Sequence, residues 1–418
     1  MLKPPRLKNN CFALPPGVDW TPVDDALARL RDALTPVVDQ NTQPAQSAFG
    51  SILAAPAIAS RSNPPAANSA VDGYGFAHEA LTNGDQHLPL VGGRAAAGQL
   101  YQGQVPMGQA IRILTGALLP KGVDTVVLEE DTSTDGTHVA FDSDLKAGAN
   151  TRKAGEDVVE GETALPAGTR LGAPELALLA ATGVREVTTF NRLRVGVLST
   201  GSEIIEPGSD PDPSRTYDAN RPMLLSLIQD WQMQPVDLGH VIDNRDFLRA
   251  RLNDAAATVD VILTSGGASA GDEDHVSAIL SETGSLADWR IALKPGRPLA
   301  LGVWDGVPVF GLPGNPVAAL VCTMIFARPA FGVLSGEGWQ TPAGFMVPAA
   351  FEKNKKPGRR EFLRARINGG GAAEVFKSEG SGRISGLAWA DGLVELEDGA
   401  RDIRPGDPVR YIPYTSFR

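Results

Sequence analysis

Residues 264–275 read TSGGASAGDEDH and follow the apolar run VDVIL at 259–263. Three glycines, two serines and three carboxylates at the mouth of a buried-strand pattern can hold an oxyanion and a hard cation together. Related polar, glycine-containing stretches are STGSE (199–203), LKPGRP (293–298) and LPGNP (312–316). Glycine permits positive φ and close backbone approach. Successive N–H groups, helped by the N-terminus of a following helix, form an anion-binding nest. The candidate cradle is therefore Ser199, Thr200, Gly201, Ser265, Gly266, Gly267, Ser269, Gly271, Pro295, Gly296, Pro313, Gly314, Asn315 and Pro316. Lys294 and Arg297 add positive charge suited to phosphate-like oxygens. Glu203, Asp243, Asp272 and Asp274 add oxygen donors. Mg²⁺ takes one or two carboxylates plus waters and substrate phosphates, and Glu203, Asp272 and Asp274 are the candidate metal ligands. Each feature also has a plainer reading: a glycine-rich loop is a tight turn, and Asp243, just before a helical pattern, is placed to cap it. Four such loops on one sheet favour a pocket for a phosphorylated ligand with a bridging metal.

GASAG at 267–271 matches the nucleophile elbow G-x-S-x-G of α/β-hydrolases. That fold needs a histidine after the serine, and of His78, His87, His138, His240 and His275 only His275 follows Ser269, six residues on. It opens the next helical pattern and cannot swing back as a base. No G-x-x-x-x-G-K-[ST] occurs either, which argues against a P-loop NTPase.

The elements that must position these loops alternate. Strand-like runs at 193–200, 235–242 and 259–265, followed by the stretches 288–296, 298–303 and 308–316, are interleaved with helical patterns at 220–231, 244–257, 275–282 and 317 to about 327. That alternation predicts a doubly wound α/β sheet, whose ligand crevice lies beyond the carboxyl ends of its strands. Upstream, PVDDALARLRDAL (22–34) reads as an amphipathic helix and PELALLAATG (174–183) as a helix with Pro at its start and Gly at its end. Short β-like pieces between 71 and 142 suggest a small β module. From about 340 to 418 the chain returns to β runs with Gly-rich turns, as in a small barrel or sandwich. The expected division is thus an extended α+β region (1–70 and 143–192), the β module (71–142), the α/β domain (193–335) and a C-terminal β domain (340–418).

The 418 residues carry 38 Lys plus Arg and 49 Asp plus Glu, a net charge of −11. Such a chain is unsuited to coating nucleic acid or an anionic membrane, so an anion must be held by a local cluster. Cys11 and Cys322 lie far apart with no C-x-x-C, which indicates neither zinc nor a disulfide framework. Cys322, inside AALVCTMIF, reads as a small core residue. The start lacks an apolar signal core, and no apolar run approaches the roughly 20 residues that span a bilayer. The expectation is a cytoplasmic protein.

NSAVDGYGF (68–76), IRILTGALLPKGVDTVVLEED (111–131), RKAGEDVVEG (152–161), LSTGSEI (198–204), YDANRPML (217–224), TSGGASAGDEDH (264–275), LKPGRPLALG (293–302) and VFGLPGNPVAAL (309–320) together resemble the molybdopterin molybdenumtransferase family, related to the E domain of gephyrin. The resemblance runs in order from about residue 20 to the C-terminus. It implies four structural regions, an elongated homodimer, and a cleft combining the α/β domain of one subunit with the β module of the other. It also implies an activity: adenylylated molybdopterin and molybdate are the substrates, the adenylate is hydrolysed with release of AMP, and molybdenum is left on the dithiolene with Mg²⁺ assisting. An upstream adenylyltransferase or a recipient molybdoenzyme would be a protein partner. By resemblance, Asp72 and Thr115 serve the partner's side of the cleft, Asp157 is a further acidic position, and Glu203, Asp243, Asp274 and Lys294 act in the pterin-binding domain. Arg297 stands where the family has a second lysine, Val71 where Met is usual and Gly75 where Ala is usual. Arg360, Ser381 and Ser385 fall near polar residues of the family's last domain. A different class, a non-catalytic pterin carrier, would show lost carboxylates with intact glycine loops, and here the carboxylates are present.

Overall fold

The computed structural model describes residues 20–267, 275–282, 287–296 and 298–418. They form two compact units, one built from the chain up to Gln40 together with Phe190–Arg418, the other from Asn41–Thr189.

In the first unit, α1 (Val23–Ala33) precedes a doubly wound region: β1 (Arg194–Thr200), α2 (Asn220–Asp230), β2 (Gln234–Val241), α3 (Arg245–Ala256), β3 (Val261–Ser265), α4 (His275–Glu282), β4 (Ala287–Arg290), β5 (Leu293–Lys294), β6 (Pro298–Trp304), β7 (Val307–Leu312) and α5 (Pro316–Leu334). Their sheet has the order β2-β1-β3-β7-β6-β4. The first four strands are parallel, β6 alone runs against them, and β4, antiparallel to β6, points the same way as the first four. Period-2 alternation sends β1 Val195 and Val197, β3 Val261 and Leu263, and β7 Phe310 and Leu312 into a core with α1, α2 and α5. Leu198, Ile262 and Val309 face α3 and α4 on the other side. Apolar burial of this kind contributes roughly 25 cal/mol per Å². Phe331 lies within 6.4 Å of Trp231 and 5.7 Å of Phe310, edge to face with both rings.

The structure corrects several expectations. The sheet is mixed, because Pro298–Trp304 returns alongside Val307–Leu312 as a hairpin. α5 runs past residue 327 despite Pro329. A π turn at Thr323–Ala327 precedes the proline, and such a turn relaxes the ladder where an N–H is lost. This 19-residue helix is long and apolar enough to cross a bilayer, contrary to the expectation that no such run exists, yet 94% of its 18-residue apolar window is buried inside the protein. Its burial makes it a core helix. Finally, α1 does not stay with an extended N-terminal region: Val23, Ala26 and Leu30 insert into the α/β core.

After α5 come β8 (Phe345–Pro348), β9 (Lys353–Lys355), β10 (Arg360–Ile367), β11 (Ala373–Val375), α6 (Ser385–Trp389), β12 (Gly392–Leu396), β13 (Arg401–Ile403) and β14 (Pro408–Pro413). The sheet order is β5-β10-β12-β14-β8, with β11 beside β10 and β9 paired with β13. β5, placed between two α/β strands in sequence, is thus the edge strand of the C-terminal sheet, pairing Leu293 with Arg360 and Lys294 with Glu361.

The second unit holds a six-stranded sheet ordered Thr125–Leu128, Gly73–Phe76, Ala110–Ile113, Gln86–Ala95, His138–Phe141, Ser133–Thr134. Gly73 sits so close to its neighbour that a Cβ would lie 1.9 Å from the Val127 oxygen. Phe76 and Phe141 stack at 4.9 Å in its core. Beside it, a three-stranded sheet and the helix Ala173–Ala181 enclose Leu53, Leu171 and Leu179.

Two outcomes test this packing. Phe331→Ala should lower unfolding free energy by about 3–5 kcal/mol, read from urea denaturation. Arg360 donates two parallel hydrogen bonds to Asp24 of α1, at 2.7 and 2.8 Å, and this holds the Asp24 carboxyl below its ordinary value. A depressed carboxyl stabilises the fold above its unfolded pKa, near about 4, and loses that contribution as pH falls through the folded value. Asp24→Asn should therefore be less stable than the parent at pH 7, with the gap in melting temperature closing as pH drops below about 4.

Candidate functional site

The ends of β1, β3 and β7 meet at the carboxyl edge of the α/β sheet. Gly266 has φ +99°, and a Cβ there would lie 2.5 Å from the Thr200 carbonyl oxygen and 2.9 Å from its hydroxyl. Gly267, at φ +65°, continues the left-handed turn. The Gly266 N–H donates to the Leu312 carbonyl at 3.1 Å, and the Gly201 N–H to Val241 at 3.2 Å. These two glycines therefore contribute close approach, with their N–H groups spent inside the fold rather than offered to an anion. The first N–H available at the start of α5, that of Val317, likewise donates to the Ser381 carbonyl at 3.3 Å.

Asn220, at the first turn of α2, ties the loops together. Its Nδ2 donates to Ser265 Oγ at 2.7 Å and to the Gly314 carbonyl at 2.8 Å. The residue lies within YDANRPML and has no role in the sequence expectations; a polar residue opening an apolar helix is its signal there. Its Oδ1 and the Ser199 Oγ are buried without hydrogen-bond partners. Both residues lie on the β1–β3 face that packs α2, since Ser199 pairs with Ser265 in the ladder and Asn220 reaches that serine. Unsatisfied buried polar atoms are costly, so two on one face mark capacity for a ligand or an ordered water.

At the β2 side, Ser202 N donates to Asp243 Oδ2 at 2.7 Å and Asp243 N donates to Ser202 Oγ at 3.1 Å. Asp243 is therefore not the cap of α3. Asn244 is, accepting from Asp246 N at 3.0 Å and Phe247 N at 3.1 Å. The exposed Glu203 carboxylate lies over Gly201, 2.4 Å from where a Cβ would stand, and has no hydrogen-bond or ion-pair partner among the described residues. Its oxygens are the hard donors a Mg²⁺ ion prefers. Asp272 and Asp274, the other candidate ligands, lie outside the described residues, as do Ser269, Gly271 and Arg297. Among the described residues no group of three metal-ligating side chains occurs.

At the opposite end, Lys294 and Pro295 precede Gly296, whose φ is +103° and whose Cβ would lie 2.9 Å from Cys322 Sγ and 3.6 Å from the Ala318 Cβ. This loop reaches the carboxyl edge because β6 runs antiparallel, so that its beginning lies there. Cys322 is a core residue as expected, with burial pushing its thiol up to about 12. Asn315 Oδ1 lies 3.7 Å from where a Gly382 Cβ would stand, so the loop carrying Ser381 abuts Pro313–Pro316. Ser385 begins α6.

Lys294 does not stand alone. Its Nζ lies 2.6 Å from Glu379 and 3.3 Å from Glu361, and Lys353 pairs with the same two carboxylates. Lys353, Glu361 and Glu379 carry no local signal in the sequence, because they come from β9, β10 and the following loop and meet only in the folded chain. Arg360 is held by Asp24, Glu395 and Asp398, ties that serve the fold. In the second unit, Asp72 Oδ1 accepts from Thr115 N at 2.6 Å and Thr115 Oγ1 at 2.7 Å. Those bonds hold its carboxyl below the ordinary range. Asp157 accepts from Asn63 Nδ2 at 3.0 Å.

Asn220→Asp keeps the shape but replaces the donor with an acceptor facing the Gly314 carbonyl. It should cost about 1–3 kcal/mol and weaken ligand binding, measured by thermal unfolding and calorimetric titration on one sample.

Comparison with known families and proteins agrees along the chain. The MoeA N-terminal region (domain I and II) matches residues 21–183, a probable molybdopterin binding domain matches 196–332, and the MoeA C-terminal region (domain IV) matches 346–414. A molybdopterin molybdenumtransferase of Haemophilus influenzae is 35% identical over 377 residues, covering 88% of this chain and 92% of that protein. One from Nostoc sp. is 33% identical over 376 residues, covering 87% and 86%. The crystal structure of a molybdopterin biosynthesis moeA protein from Pyrococcus horikoshii superposes with a TM-score of 0.80 at 26% identity, covering 95% of this chain and all of that one. With three regions matched in order and relatives of this identity and coverage, the chain belongs to the MoeA family of molybdopterin molybdenumtransferases.

Proposed function

We propose that this protein is a molybdopterin molybdenumtransferase that takes adenylylated molybdopterin and molybdate, releases AMP and leaves molybdenum on the dithiolene, completing the cofactor. The observation carrying this reading is the strip along one sheet edge. A carboxylate without a partner among the described residues, Glu203, stands at one end, buried unsatisfied polar atoms of Asn220 and Ser199 in the middle, and the Lys294 ammonium at the other end, beside the loop carrying Ser381.

Lys294 and Arg297 bind oxyanion oxygens, as point charge and planar fork respectively. Ser265, Asn315 and Ser381 are neutral hydrogen-bonding groups beside that strip. Glu203, with Asp272 and Asp274, would hold Mg²⁺, which supplies neutralisation of charge developing on the phosphoanhydride. Asp243 fixes the loop that presents Glu203 through its reciprocal bonds with Ser202. A covalent nucleophile is not required: the Cys322 thiol is buried and held protonated, and His240 points its Nε2 at the Gly201 carbonyl, 2.6 Å away. A homodimer, with Asp72 and Thr115 serving the partner's cleft, and a cytoplasmic location complete the reading. A recipient molybdoenzyme and an upstream adenylyltransferase are its natural protein contacts.

AMP release from adenylylated molybdopterin on adding molybdate tests the proposal. Turnover is expected in the parent. Lys294→Gln should lower kcat/KM at least tenfold, and Asp274→Ala should abolish turnover while the protein stays folded by circular dichroism. Stoichiometric binding without AMP would instead identify a carrier, and wild-type hydrolysis by Asp274→Ala would remove the metal assignment.

A further inference from the structure

Resting on the reading of Lys294 as an oxyanion ligand, we propose that Glu379 is a specificity-determining residue: an internal anion seated on Lys294 in the free protein, which an incoming dianion must displace.

Four side chains form a closed ring. Glu379 bridges Lys294 (2.6 Å) and Lys353, and Glu361 bridges the same two ammonium groups at 3.3 and 3.0 Å. Two cations and two anions leave the ring neutral. Its members are not equally placed. The side chains of Glu361 and Lys353 are 8% and 10% exposed, those of Lys294 and Glu379 26% and 47%. The inner pair is set by two strand registers, Glu361 by the pairing of β10 with β5 and Lys353 by the pairing of β9 with β13. The outer pair faces a cavity of about 190 Å³ that Pro295, Lys353, Arg364 and Phe376 also line.

Glu379 is held in place by its backbone. The buried Arg364 guanidinium donates to the carbonyls of Ser378, Gly380 and Arg383, and Val317 N donates to Ser381 O. The loop that carries Glu379 is therefore fixed beside the Pro313–Pro316 turn. Burial works to raise the Glu379 carboxyl, but hydrogen bonds from Lys294 and Lys353 overcome it and the net shift is downward, so the group is ionised at neutral pH.

An anion approaching Lys294 meets this carboxylate first. Displacing Glu379 does not strand it, because its second oxygen remains with Lys353. The exchange is thus open to an oxyanion carrying two charges and several acceptors, such as molybdate or a phosphate group. It is closed to a singly charged halide, which offers less than the carboxylate it would replace. Glu379 converts a general cation site into one selective for dianions.

Calorimetric titration of the full-length protein with molybdate alone, repeated in rising chloride, tests this. Glu379→Gln leaves the ring one positive charge in excess. It should bind molybdate several-fold to about tenfold more tightly, become sensitive to chloride where the parent is not, and lower KM for molybdate without raising kcat. Glu379→Asp keeps the charge but is one methylene short of spanning both lysines, and should restore most of the chloride resistance. Affinity and chloride response of Glu379→Gln within twofold of the parent, or weaker molybdate binding, would overturn the inference. Lys294→Gln separates the two claims. If it loses molybdate binding while Glu379→Gln changes nothing, only the role of Glu379 fails. If it binds and turns over like the parent, the oxyanion role of Lys294 fails, and the proposal for Glu379 with it.

Discussion

Position 266 has no room for a side chain. The Thr200 carbonyl oxygen would lie 2.5 Å from any Cβ there, and a Cβ placed on Gly314 would come within 3.7 Å of the Gly266 Cα. This close approach of three strand ends governs the carboxyl edge of the α/β sheet. It lets one asparagine amide, Asn220, bond β3 and the β7 loop simultaneously, while the Ser199 Oγ and the Asn220 Oδ1 stay buried without hydrogen-bond partners. Glycines here contribute by being small and by tolerating positive φ. The N–H groups of Gly201 and Gly266, which a nest would need, are already spent on Val241 and Leu312.

A second constraint follows from strand direction. Because β6 is antiparallel, the loop before it lies at the same edge as the loops after β1, β3 and β7. The same reversal frees Leu293–Lys294 to pair with β10. Lys294 thus stands where the two domains join: its backbone belongs to the C-terminal sheet, while the glycine two residues on packs against α5. Its ammonium is tied to the C-terminal domain through Glu361, and its loop is tied to the α/β domain through the contacts of Gly296.

These geometries explain what the sequence could reveal. The alternation of apolar strand and helix patterns located β1 to β3, β7 and the helices between them, because period and burial are local properties. The glycine loops were legible for the same reason. Strand direction was not: PLALGV reads alike whether it runs parallel or antiparallel, since both bury two faces. Nor was the ring around Lys294, whose members are separated by up to 85 residues and come from β5, β9, β10 and the loop carrying Glu379. Asp243 illustrates the limit of a local rule. It occupies a plausible cap position, yet the next residue, Asn244, takes the cap, and Asp243 turns back to Ser202 instead. The extension of α5 past Pro329 was hidden because a proline normally ends a helix, and only the π turn ahead of it resolves the clash.

The charge distribution completes the physical picture. A chain of net charge −11 repels the dianions it is proposed to bind, and long-range steering cannot bring them in. Selection must therefore occur at contact, where screening is weakest and partly buried ammonium groups act at short range. Two lysines neutralised by two glutamates add nothing to a distant field, yet they become an anion site once one carboxylate moves aside. A balanced ring is a consistent solution for an acidic protein: it keeps the desolvated cations paired when empty, which avoids the heavy cost of an isolated buried charge, and it presents that charge only to a ligand able to replace the internal partner.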